Sequence, residues 1–399
     1  MGEEHALFTE ATATALLLMA FGAFAIPLAC RPFRLPAAVG EILFGILVGP
    51  YVLGWVEVSD FIQLIAQLGF FLLMFIAGLE LDFTQIEKGG LKPLGRALLT
   101  TVLILTFSFA LAVSMGYHWF VGMVLGAISI GIPLVLLHET GLGKQPYGQT
   151  LLLIGSVGEA TVILLATGIS AYSAVGGLNA AFALELFKLV TVFVLAYLVL
   201  VVLRALVWWH SERFSRVVDY HDPSEIGVRA GLALMFVFVA LASFLHIDPI
   251  LGAFISGALF SFAFRAKGPL ELKFMSIGNG FFVPFFFISV GLGFDLNAAL
   301  QGDSKLFWQL LLALPVVRLL AFILTRPKSQ TMMHAATGSL LLSAPLTLLV
   351  VIANLGLSLR LVDTPFHATV IMLAVVSSAL YPWVFKLALR QLQKFEAGK

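Results

Sequence analysis

The sequence predicts an all-α polytopic membrane protein of about thirteen transmembrane helices arranged as an inverted-topology repeat. Three observations lead there. Hydrophobic residues make up 60% of the 399 and charged residues only 11%, with a mean hydropathy of +1.03, a balance that water cannot solvate as a surface. Apolar stretches of about 20 residues, the length that crosses a ~30 Å hydrocarbon core, recur along the whole chain. Finally, Leu35-Pro36 through Gly40 and Gly45 is echoed by Asp248-Pro249 through Gly252 and Gly257, at an offset of 212.

Taken in order, the first span, 8–30, follows Glu3, Glu4 and His5 without a basic n-region or a small-residue cleavage site, which predicts a retained helix. Spans at 36–54, 60–80, 94–115, 118–138 and 147–172 complete a first repeat, 1–172. A linking span, 179–207, and a cytoplasmic connection make up 173–224. Spans at 225–246, 248–265, 274–294, 305–325, 331–357 and 366–390 form the second repeat, 225–399. The register holds along the chain: Gly69-Phe70-Phe71 recurs as Gly280-Phe281-Phe282, Gly78 as Gly291, and Pro133 as Pro345. Asp82 and Asp295 close corresponding spans as helix-end residues. Only 81–93 and 208–224 are longer than turns, so no soluble regulatory domain is expected.

Of 23 basic residues, 18 fall on one side of the spans and two, Lys305 and Arg360, on the other, leaving Lys188, Arg229 and Arg318 within the membrane. Under the positive-inside rule the C-terminus is cytoplasmic and the N-terminus outside. The single linking span starts the second repeat on the opposite face from the first, which makes the repeat inverted. Inverted repeats support two states of similar energy, the architecture of secondary transporters. There is no basic run for nucleic acid, no spaced Cys/His set for zinc, and a lone Cys30. Gly141-Leu142-Gly143-Lys144-Gln145 lacks the spacing of a phosphate loop. No nucleophile with a base is visible, so an enzyme is not expected.

Candidate site residues gather where spans should break. Ile128-Ser129-Ile130-Gly131-Ile132-Pro133 in the fifth span and Ser343-Ala344-Pro345-Leu346-Thr347 in the twelfth place prolines at matching repeat positions. A mid-helix proline removes a donor and clashes one turn back. Paired breaks expose half-helix ends that can hold a cation; the plainer alternative is two proline kinks. Glu159 lies about 18 Å along the sixth span from Tyr147, near the bilayer centre. Burial favours its protonated form and a nearby cation its ionised form, so protons and metal ions would compete for one group; a structural ion pair with Arg318 is the alternative. Arg318 either balances that charge or fixes the broken helices through their carbonyls. Ser129, Ser156 and Thr347 are candidate supporting oxygens, with backbone carbonyls near Ile130 to Ile132. Glu225 and Arg229, at i,i+4 spacing, form an expected structural pair, and Lys188 near Glu185 is expected to snorkel outward. Glu41 either lines a funnel or faces headgroups.

These residues resemble the bacterial monovalent cation:proton antiporter-2 family over nearly the whole chain. The resemblance rests on Leu35-Pro36 through Gly40, Gly45 and Gly49-Pro50; on Leu68-Gly69 with Gly78-Leu79-Glu80-Leu81; on Leu251-Gly252-Ala253-Phe254 with Gly257; and on Phe285-Phe286-Phe287-Ile288-Ser289-Val290-Gly291. It implies a thirteen-helix fold with a six-helix core domain, two crossed broken helices, a homodimer formed by the other helices, and elevator-like core movement in a bacterial inner membrane. It puts the family's ion-binding aspartate on Glu159. Where the family shows Gln-Asp, Asn-Asp or Asp-Asp, this chain has Gly158-Glu159, and Ala344-Pro345-Leu346-Thr347 replaces a motif often containing Gly-Glu-Phe. Members thought electrogenic carry a lysine in the tenth span, where this chain has none past Lys273, and its single core carboxylate fits electroneutral exchange. The expected activity is exchange of Na+ or K+ for H+ without a cofactor, with membrane lipid as the surrounding partner. Sodium-coupled uptake of an organic solute and a non-transporting membrane sensor are the alternatives.

Overall fold

Among the described residues ten helices are long and apolar enough to cross a membrane, or eleven when one pair bent by 53° is taken as a single span. The computed structural model describes residues 9–33, 35–80, 91–143, 145–176, 180–209, 225–245, 247–263, 268–301, 303–328 and 330–397, and within them every regular element is helical. Asp82 and the connection 210–224 lie outside the described residues.

In chain order the helices are α1 (Glu10–Phe33), α2 (Ala37–Val48), α3 (Asp60–Leu79), α4 (Leu91–Ser114), α5 (Phe120–Gly126), α6 (Gly131–Glu139), α7 (Pro146–Val175), α8 (Ala180–Trp209), α9 (Ile226–Phe244) and α10 (Pro249–Ala263). They continue as α11 (Gly268–Ile277), running through a π-turn at Gly278–Phe282 into α12 (Val283–Leu292), then α13 (Leu296–Gln301), α14 (Ser304–Thr325), α15 (Met332–Leu341), α16 (Leu346–Ser358) and α17 (Thr364–Ala397). Several starts are chemically marked. Ser59 accepts from the Ile62 N–H at the head of α3, Asp303 from Lys305 N–H at α14, and Asp363 from Phe366 N–H at α17, each satisfying an end donor that the helix leaves open.

Most expected spans reappear within a few residues. The second ends early: α2 stops at Val48, and 49–59 is turn and extended chain rather than helix. With α10 it makes two apolar helices of 12 and 15 residues that are shorter than a full crossing. The tenth span is helical from Gly268 but loosens to a π-turn at Gly278–Phe282.

The chain forms two compact units, and neither is one of the sequence halves. The first comprises Met1–Arg31, Gly40–Glu87 and Thr167–Gly293, the second Pro32–Val39, Lys88–Ala166 and Phe294–Lys399. Each unit therefore draws on both halves of the chain. In the first unit four glycines show how. A Cβ on Gly45 would lie 2.1 Å from the Ile288 carbonyl oxygen, and one on Gly257 2.0 Å from that of Phe75. A Cβ on Gly291 would meet the Ile42 oxygen at 2.2 Å, and one on Gly78 the Phe254 oxygen at 2.2 Å. Shifting one set of contacts by 212 or 213 residues produces the other. Only glycine permits such backbone approach, so the punctuation seen in the sequence marks helix crossings of α2 on α12 and of α10 on α3. Phe75, Phe260 and Phe274 fill the space beside them with edge-to-face contacts.

The second unit holds α4 to α6, most of α7, and α13 to α17. Its core runs through Ile104, Ile128, Leu137, Leu151, Val317 and Leu342, all essentially sealed from solvent. Thr100 donates to Thr325 at 2.8 Å between α4 and α14, and Tyr147 bonds the Thr337 hydroxyl and donates to the His334 carbonyl, both at 2.7 Å.

Candidate functional site

Two helices of the second unit are interrupted, and the interruptions meet. Between α5 and α6, residues 127–130 leave the helix; between α15 and α16, residues 342–345 do so. The prolines do not sit inside a kinked helix. Pro133 falls in the first turn of α6, where a missing N–H costs nothing, and Pro345 is the N-cap of α16, so each restarts a helix after the break. Gly131 is the first residue of α6, with open space where a Cβ would stand.

Glu159, on α7, is 2% exposed and points at the first break. One carboxylate oxygen accepts the Ile130 backbone N–H at 3.0 Å, and the other accepts the Ser129 hydroxyl at 3.3 Å. Ser129 also bonds the Thr347 hydroxyl at 2.6 Å. A hydroxyl has one proton to give, so when Ser129 donates to Glu159 it is Thr347 that donates to Ser129. A carboxylate and two hydroxyls, from α7 and from both breaks, thus form one connected polar group in an apolar core. Ser156, three residues before Glu159 on the same helix, is buried but is not among the carboxylate's partners. The Ile130 carbonyl accepts the Leu134 N–H at 2.8 Å, and the Ile130 N–H is the group that meets the Glu159 carboxylate.

Arg318 is fully buried on α14. Its guanidinium donates to the carbonyls of Leu342 at 2.8 Å, Leu125 at 3.2 Å, Leu314 at 2.7 Å, and Ala127. Three of those carbonyls belong to the ends of the broken helices, the groups a helix terminus leaves without an intrahelical donor. Among the described residues Arg318 forms no ion pair with Glu159; its guanidinium, five donors in a fixed fork, bonds carbonyls at both breaks.

The residue before the carboxylate is explained by packing. A Cβ on Gly158 would lie 2.7 Å from Cδ1 of Ile128 and 3.0 Å from its Cβ. Ile128 occupies the space a polar side chain at 158 would need. Gly155, one turn earlier, is in ordinary contact with both Ile130 and Leu342, so α7 passes close to both breaks.

Other candidates lie elsewhere. Glu225 takes Lys273 as ion partner at 2.8 Å and shares with Arg229 the backbone bond from the Arg229 N–H to the Glu225 carbonyl at 3.0 Å. Lys188 pairs with Glu185 at 2.6 Å. Glu41 is 3% exposed and so is buried rather than facing headgroups. Asp295 accepts from the Ala298 N–H at the head of α13. Sequence reasoning missed the Ile130 N–H and the packing of Ile128 against Gly158, and for Arg318 it had left the broken-helix carbonyls open as one of two partners. A glycine directly before a buried acid was the one available signal of close approach.

Comparison with known proteins follows the same lines. Residues 16–391 match the family model of the sodium/hydrogen exchanger transmembrane region. The chain is 30% identical over 394 residues to a putative Na(+)/H(+) antiporter, YjbQ, of Bacillus subtilis (strain 168), spanning 93% of this chain and 62% of that protein. It is 26% identical over 361 residues to the Na(+)/H(+)-K(+) antiporter GerN of Bacillus cereus, with 88% and 89% covered. Its fold is similar to that of the sodium proton antiporter MjNhaP1 from Methanocaldococcus jannaschii, with a TM-score of 0.63 at 15% identity over 95% of this chain and 98% of that one.

Proposed function

From the premise that the chain belongs to the sodium/hydrogen exchanger family, we propose that it is an antiporter exchanging Na+ or K+ for H+ by alternating access, with proton and cation competing for Glu159. The observation that carries this is the meeting of Glu159, Ser129 and Thr347 at the two helix breaks. Two charge-assisted bonds to a carboxylate contribute about 3–6 kcal/mol, against a desolvation cost of several kcal/mol. The two terms oppose each other, so on this proposal an arriving cation displaces the proton and a proton displaces the cation. With a cation present, Ser129 and Thr347 turn lone pairs toward it. Among the described residues Glu159 is the one buried carboxylate of its unit, which favours one-for-one, electroneutral exchange.

On this proposal α2 and α10 complete thirteen membrane segments as short crossings, and the two breaks belong to crossed helices. The reciprocal glycine contacts at the repeat offset support an inverted repeat. The 18-to-2 distribution of basic residues supports a cytoplasmic C-terminus, in a bacterial inner membrane, and the chain is proposed to work as a homodimer.

Competition has a direct test. In proteoliposomes the half-saturating cation concentration should rise as pH falls, approaching tenfold per pH unit where the proton dominates the site. A half-saturation that stays constant across pH while only the maximal rate changes would reject a shared site.

A further inference from the structure

A second site lies in the same unit, at the far ends of the half-helices that form the first. A pocket of about 440 Å³ is lined by Tyr117, Phe120, Val121, Arg360, Asp363 and Phe366, among others. α5 begins there and α16 ends there; a Cβ on Gly356 would be 2.6 Å from the Phe120 ring. Three observations say what it takes. Arg360 stands at the position after α16 where the chain turns left-handed, with φ 55° and the Leu361 N–H bonding back to Gly356. Glycine is the default residue there, and a side chain costs about 1 kcal/mol or more, so a guanidinium is kept where the backbone disfavours it. One oxygen of Asp363 is used on the Phe366 N–H at 2.9 Å, leaving the carboxylate's other oxygen to accept from a ligand. Trp119, between the lining residues His118 and Phe120, and Trp308, two residues after the lining Leu306, are exposed by 36% and 60%, and exposed indoles of this kind anchor in lipid headgroups. The two basic residues assigned to the outer side are also here: Arg360 lines the pocket and Lys305 precedes its lining residue Leu306.

We propose that this pocket seats the zwitterionic headgroup of an outer-leaflet phospholipid of the phosphoethanolamine type. Arg360 takes the phosphate, Asp363 takes the primary ammonium, and the acyl stem runs over Phe120, Val121 and Phe366. An occupant would bridge the outer ends of both half-helices whose inner ends hold Glu159. The site is independent of the exchange reading, since binding is measured without transport.

The test is a calorimetric titration of the purified full chain with dihexanoyl phosphatidylethanolamine, its phosphatidylcholine and phosphatidylglycerol counterparts, and free phosphoethanolamine. The ethanolamine lipid should bind at least about tenfold more tightly than the choline lipid, whose quaternary ammonium has no proton to donate to Asp363. Arg360→Gln should weaken it by about tenfold or more. Arg360→Gly, which suits the left-handed backbone and therefore keeps the fold, should lose as much. Asp363→Asn keeps the helix cap and should abolish the preference for ethanolamine over glycerol. Unchanged affinity in both Arg360 variants, equal binding of choline and ethanolamine lipids, or free phosphoethanolamine binding as tightly as the lipid would each overturn the proposal.

Discussion

Replacing Arg318 by methionine removes a buried group while keeping most of its volume, and the structure says what is left behind. The carbonyls of Leu125, Ala127 and Leu342 lose the donor they share, in a core where no solvent replaces it. Each stranded carbonyl costs about 1–3 kcal/mol, so the three together cost about 3–6 kcal/mol once some relaxation is allowed. For a folding unit of this size that is of order 10 °C in melting temperature. Arg318→Lys retains the charge but offers three donors from one atom, so it should recover only part of the loss. Thermal denaturation in detergent, followed by size exclusion, measures this. The double variant Arg318→Met with Glu159→Gln separates two explanations. If Arg318 fastens carbonyls, removing the Glu159 charge gives no rescue and the effects add; if it balances Glu159, the double variant recovers most of the stability. Rescue, or an Arg318→Met protein melting within about 2 °C of wild type, would refute the fastening role.

Other consequences follow from single contacts. Gly158→Ala should lower stability by about 1–3 kcal/mol through overlap with Ile128, and Ile128→Ala in the same chain should restore part of it in a thermal melt. Gly45→Ala and Gly257→Ala drive a Cβ into backbone oxygen at 2.1 and 2.0 Å; each should cost more than about 3 kcal/mol and appear as loss of monodisperse protein after extraction. Thr347→Val removes one hydroxyl and little volume, so the half-saturating cation concentration should rise about three- to tenfold with no comparable change in melting temperature.

Much of this architecture was legible because lipid imposes a simple length rule. Apolar runs such as 60–80 and 305–325 reappear as α3 and α14 within a residue or so, and Pro133 lies just past one interruption and Pro345 at the end of the other. The sequence left break and kink open for these prolines; they stand at the starts of α6 and α16, where a proline is comfortable. α2 was overestimated because Gly49, Pro50 and the residues after them are apolar enough to read as membrane helix while turning back. The units were not legible, because packing interleaves segments from both halves of the chain, joining Gly45 to Gly291 and Gly78 to Gly257. At the site, the acid could be found as an isolated charge in an apolar run. Its best donor could not, because the Ile130 N–H is a backbone group freed by a local break. For Arg318 the sequence left two partners open, and the hydrogen bonds it makes are to the carbonyls of Leu125, Leu314 and Leu342.

The central claim is that Glu159 carries both the proton and the cation. It is tested most directly by proton flux into proteoliposomes loaded with a pH dye and challenged with Na+, K+ and Li+, for wild type and for Glu159→Gln. The amide keeps the size and can still accept from the Ile130 N–H, so the variant should fold, yet it can neither ionise nor exchange a proton. Cation-driven flux in the wild type that disappears in Glu159→Gln is the expected result. Flux that persists in correctly folded Glu159→Gln, or that no cation elicits from the wild type, would contradict it.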